Sequence, residues 1–170
     1  MFKLLGKIFM FAPLLLSGAQ AADYPATPVA VVEAYIKADS AGAAMNAATW
    51  SSVQQYTQWP AKHSWDGCLV VKKHQIAPGK EADGKATVVV NYDVLGEFDG
   101  VRVAMSPRQD QLTLELAKQG NQWKIMGAPA KPRLTTMATL PLLQEQLEQA
   151  KGLGDPSVVQ QIEESIRALK

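Results

Sequence analysis

The chain is poor in the residues that build chemical sites. It has one cysteine, Cys68, among 170 residues, so no internal disulfide can form. Leu69, Val70 and Val71 follow it, which makes Cys68 read as a small buried hydrophobe rather than a reactive thiol. Histidine occurs twice, as His63 and His74, with no partners at metal-ligand spacing, so no metal site is expected. No G-x-S-x-G elbow, phosphate-binding loop or dinucleotide glycine pattern is present, and no cofactor is expected. Charge of one sign is lacking too. The formal net charge is +1, and without Lys3 and Lys7 the basic residues fall from 17 to 15 against 16 acidic ones. That balance argues against nucleic acid, which is bound by clustered Lys and Arg.

What is there begins with a leader. Lys3 and Lys7 precede the apolar run Ile8 to Leu16, and Ala19-Gln20-Ala21 fits a signal-peptidase site. The run is short for a bilayer span. The expectation is a signal peptide over 1–21, a mature start near Ala22, a periplasmic or secreted location, and no membrane insertion after cleavage. With no cysteine at the cleavage point, lipid attachment there is not expected.

Thr27-Pro28 reads as a helix cap followed by proline in the first turn. Val31, Val32, Tyr35 and Ile36 follow at helical spacing, and Gly42 is a stop. Ala43 to Trp59 is a weaker helical stretch, in two short pieces, ended by Trp59-Pro60. Ala61 to Asp66 reads as a loop. Strands follow. Gly67 to Ala77 is the first, and Pro78 to Gly84 reads as a polar loop. Lys85 to Phe98 places Ala86, Val88, Val90, Tyr92, Val94 and Phe98 on one face, with Gly96 between them. Val101 to Met105 reads as a short strand across a tight Asp99-Gly100 turn, and Ser106-Pro107-Arg108 as another turn. Gln111 to Lys118 puts Leu112, Leu114 and Leu116 on one face, and Gln122 to Met126 is the closing strand. Ala128 to Pro132 breaks the pattern. Leu140, Leu143, Leu147 and Ala150, then Val158, Val159, Ile162, Ile166 and Leu169, return to helical spacing either side of a Gly152–Pro156 breaker.

The fold class expected is α+β: N-terminal helices packed on a strongly bent antiparallel sheet, followed by a C-terminal two-helix extension. Pro28 to Lys37, Asp83 to Tyr92 and Gly120-Asn-Gln-Trp-Lys-Ile125 resemble the first helix, central strand and closing strand of the nuclear transport factor two-like superfamily, also called cystatin-like or cone-shaped α+β proteins. The resemblance covers about 22–130 and leaves 131–170 as a helical extension. It implies a bent sheet around a long helix, with a hollow that often holds a small apolar ligand. Members include isomerases, dehydratases and hydrolases, non-catalytic binders, and homodimers joined through the sheet; fold alone does not choose among them.

Core packing is the default reading of the aromatic residues; within such a hollow, Tyr35, Trp50, Trp59, Trp65, Tyr92 and Trp123 are the ligand-binding candidates. His63 and Asp66, or the Tyr92 phenol, are the catalytic ones. Asn91 and Asp93 have the opposite parity to Tyr92 and read as solvent-facing. The leading expectation is an exported domain that binds a small apolar ligand or a protein partner without catalysis. The alternatives are a small isomerase, dehydratase or hydrolase, and an envelope interaction module acting through the C-terminal helices. The tail is expected to fold back on the domain, with a protein contact as its other use.

Overall fold

A computed structural model describes residues 24–59, 65 and 67–170. The leader, His63 and Asp66 lie outside the described residues.

Helix α1 (Pro28–Ser40) starts as its sequence dictates. The Thr27 side chain accepts the Ala30 N–H, and Pro28 opens the first turn. Its stripe of Val31, Val32, Tyr35 and Ile36 is almost wholly buried. A single 3-10 turn (Ala43–Met45) and the one-turn helix α2 (Ser51–Gln54) follow. Five strands come next: β1 (Cys68–Ala82), β2 (Lys85–Phe98), β3 (Val103–Gln119), β4 (Gln122–Ile125) and β5 (Arg133–Thr135). Helices α3 (Thr136–Leu153) and α4 (Pro156–Ala168) end the chain.

The strands form one strongly curled sheet, a half-barrel, in the order β4-β3-β2-β1-β5. Consecutive strands from β1 to β4 are antiparallel, but β5 lies parallel to β1, pairing Leu69 with Arg133 and Val71 with Thr135. The sheet is therefore mixed, not purely antiparallel as expected. Three residues after a proline carry too little periodicity to announce a strand.

Two other expectations are corrected. Pro78 to Gly84 is not a loop: β1 continues to Ala82, with Pro78 opposite Val88. Among the described residues, the far side of β1 has no strand partner past Val71, so the missing proline N–H breaks no ladder bond there. An irregularity between Pro78 and Glu81 is held by the Thr87 hydroxyl, which accepts the Lys80 N–H. The turn is confined to Asp83 and Gly84, both at positive φ, as a two-residue hairpin requires. Likewise Ser106-Pro107 does not turn the chain. β3 runs through it, and the register shift opposite Val94–Gly96 absorbs it.

The sheet has a core on each face. On the concave side, Val31, Val32, Tyr35 and Ile36 of α1 share a cluster with Val88, Val90, Tyr92, Leu114, Leu116 and Ile125. On the other side, Cys68, Val70, Phe98 and Val103 pack with Leu134, Leu143, Ala150, Ile162, Ile166 and Leu169. The tail thus folds back on the sheet. Phe98 joins this second core rather than the one under α1, because the irregularity after Val94 breaks the strict alternation of β2. Cys68 is fully buried, and burial, then Asp39 and Glu97, push its thiol up to about 12 despite Lys131.

Candidate functional site

A buried polar cluster sits where α1 meets β5. Asp39 is one turn beyond Tyr35 on the apolar stripe of α1, and it is 3% exposed. Its Oδ2 accepts the Arg133 backbone N–H at 3.2 Å; its Oδ1 has no partner among the described residues. The Arg133 side chain points elsewhere. Nη2 donates to Asp110 at 2.8 Å, Nη1 donates to the Lys131 carbonyl, and the guanidinium lies 5.0 Å from the centre of the Tyr92 ring. The pairing of His74 with Tyr92 and of Tyr92 with Asp110 sets these three side by side across the sheet. The His74 and Tyr92 rings are 6.0 Å apart.

The electrostatics follow from burial. Desolvation lifts the Asp39 carboxyl to about 7, only partly opposed by the Arg133 N–H and its charge. Tyr35 is held well above the usual phenol value, first by burial and then by Asp39 and Tyr92. Burial also raises Tyr92, with Arg133 opposing. Such a cluster can hold and release a proton near neutrality. Among the described residues, no group of three or more His, Cys, Asp or Glu stands together as a metal site.

The aromatic candidates do converge, but as core. Tyr35, Trp50, Trp59, Tyr92 and Trp123 are buried in the concave cluster, and Trp65 packs against it. Tyr35 meets Trp59 edge-on at 6.0 Å, and Trp65 tilts against Trp50 at 6.3 Å. Among the described residues, nothing accepts the buried indole N–H groups of Trp50 and Trp59. Asn91 and Asp93 lie on the outer face, linked to Gln111 and to Gln109 and Lys73.

Open space is found elsewhere on the sheet. A cleft of about 710 Å³ opens at the β1–β2 hairpin end, lined by Lys80, Ala82, Asp83, Lys85, Ala86, Thr87, Glu115, Leu116, Ala117 and Met126. None of the six aromatic candidates lines it. Sequence reasoning missed this cleft and the Asp39–Arg133–Asp110 cluster. A carboxylate on the same helical face as Val32, Tyr35 and Ile36 was the available signal for Asp39. Asp110, two residues before Leu112 and of the same parity, was the signal for the face it shares. Arg133 lies on a strand with no sequence signature.

No protein-family model, curated protein or solved structure matches the chain.

Proposed function

We propose that the protein is an exported, non-catalytic domain that binds a small apolar ligand in the cleft at the hairpin end of its half-barrel. The observation that carries this is the cleft itself. Its volume falls in the range of small-molecule sites, roughly 300–1,000 Å³. Ala86, Leu116 and Ala117 line it, and Met126, 41% exposed, adds a large apolar side chain. Lys80 and Lys85 are balanced there by Asp83 and Glu115, which favours an uncharged ligand over an anion. Asp39, Tyr35, Tyr92 and Cys68, whose proton equilibria are displaced by burial, all lie away from the cleft, which supports binding without catalysis. Export rests on the leader. The likeness to nuclear transport factor two-like proteins belongs to the same proposal: a helix followed by a curled sheet accords with it, while the parallel β5 departs from an all-antiparallel sheet.

The test is fluorescence of the uncharged probe phenylnaphthylamine titrated with protein. Saturable binding is expected, weakened about tenfold or more by Met126→Glu, because an unpaired charge is costly to desolvate. No saturable binding by the wild type, or equal binding by the variant, overturns the reading.

A further inference from the structure

The junction between α1 and β5 has the parts of a switch. Two contacts bind the end of α1 to the strand that leads into the tail, and a third carries on from that strand into α3. The Arg133 N–H donates to Asp39, the Thr135 hydroxyl donates to the Ser40 carbonyl, and the same Thr135 oxygen accepts the Ala138 N–H as the cap of α3. One carboxyl therefore sits at the head of a short chain of bonds that ends at the tail helices.

That carboxyl is badly placed to carry charge. Asp39 Oδ1 is buried and has no partner among the described residues, and the Arg133 guanidinium beside it is directed away, onto Asp110. The titratable groups facing it from the surrounding elements offer little relief. Tyr35 on α1 and Tyr92 on β2 are uncharged phenols, Cys68 on β1 is a buried thiol, and Arg133 on β5 is the only cation of the set. Beyond them, Lys131 stands beside Glu97, paired to it, and Asp110 on β3 holds the guanidinium. A charged Asp39 must admit water or draw the Arg133 side chain off Asp110. Either change disturbs β5 where it meets α1.

We propose that Asp39, with Arg133, is a proton-operated latch between α1 and β5, through which the surrounding pH sets how firmly the tail is held. In the protonated state the carboxyl is neutral and the junction closed; in the ionised state the junction loosens. The sign follows from proton linkage. The folded chain keeps a proton on Asp39 that the unfolded chain gives up in the ordinary carboxylate range, so this stability is present at acid pH and is lost as pH rises through about 7.

The experiment is thermal unfolding of the whole chain between pH 5 and pH 8, with carbon-detected NMR titration of the Asp39 carboxyl. The expected Tm of the wild type falls by roughly 5–10 °C over that range. Asp39→Asn removes most of that fall, whereas His74→Ala, a control that takes away the imidazole beside Tyr92, leaves it in place. The Asp39 signal titrates near neutrality, and amide protection over Arg133–Thr135, corrected for intrinsic exchange, drops with it. A pH-independent wild-type Tm, an unchanged slope in Asp39→Asn, or an Asp39 midpoint near pH 4 overturns the latch. If Asp39→Asn fails to fold, the wild-type titration decides alone.

Discussion

Gly96 and Cys68 show how far single positions are fixed by their surroundings. A Cβ at Gly96 would lie 2.4 Å from the Ala104 carbonyl oxygen and 3.0 Å from the Met105 Cα, both backbone atoms of the adjoining strand. Gly96→Ala is therefore expected to destabilise the protein by about 1–3 kcal/mol in urea titration; a neutral result would place β3 farther from β2 than described. Cys68, fully buried with its thiol raised to about 12, is expected to ignore a thiol reagent at pH 8 and to react fully after unfolding. Rapid labelling of the native chain would contradict its burial. The burial of Cys68 was legible from its apolar neighbours. The aromatic residues were legible as a group and as core by default, and the structure buries five of the six candidates in the concave cluster; what spacing left open was whether α1 fills the space between them. Asp39 sits at the limit of what spacing reveals, because its partner Arg133 is 94 residues away.

At the scale of elements, the helices and the long strands were legible because capping and periodicity act locally. Thr27 and Pro28 open α1, and the even-numbered apolar residues of β2 from Ala86 to Val94 face it. The errors fall where tertiary context overrules local chemistry. Pro78-Gly79 reads as part of a loop, yet it lies where, among the described residues, one side of β1 is free of a strand, with the Thr87 hydroxyl taking the nearby Lys80 N–H. Pro141 lies inside α3, five residues past its start at Thr136. Its ring lies on the exposed side, and the carbonyl it leaves unbonded belongs to exposed Met137. Thr135 does two tasks, capping α3 and bonding Ser40. Thr135→Ala is expected to cost about 1–2 kcal/mol, at the upper end for a lost cap, measured by urea unfolding. A change under about 0.3 kcal/mol would mean that α3 is held by packing alone.

At the scale of the molecule, one curled sheet serves two cores. The tail is not a free extension: Leu143 and Ile162 are wholly buried, and Leu134 of β5 lies in the same cluster. Leu143→Ala is expected to cost about 2–5 kcal/mol, as a core position does and a loosely held helix does not. The tail was legible as two amphipathic helices but not as the cover of the second face, because an apolar stripe does not name what it packs on. Recovered from outside the cytoplasm of an expressing cell, the protein is expected by intact mass to begin near Ala22; retention of Met1 would refute cleavage. Because both cores share the sheet, they are expected to fold together. Of the 4 tryptophans, Trp50, Trp59 and Trp123 lie in the concave core and Trp65 packs against it, so their fluorescence reports that side. The far-UV helical signal is weighted to the tail, where α3 and α4 have 18 and 13 residues against 13 in α1. Urea unfolding followed by both signals is predicted to give superimposable transitions; loss of the helical signal at lower urea than the fluorescence change would contradict the account.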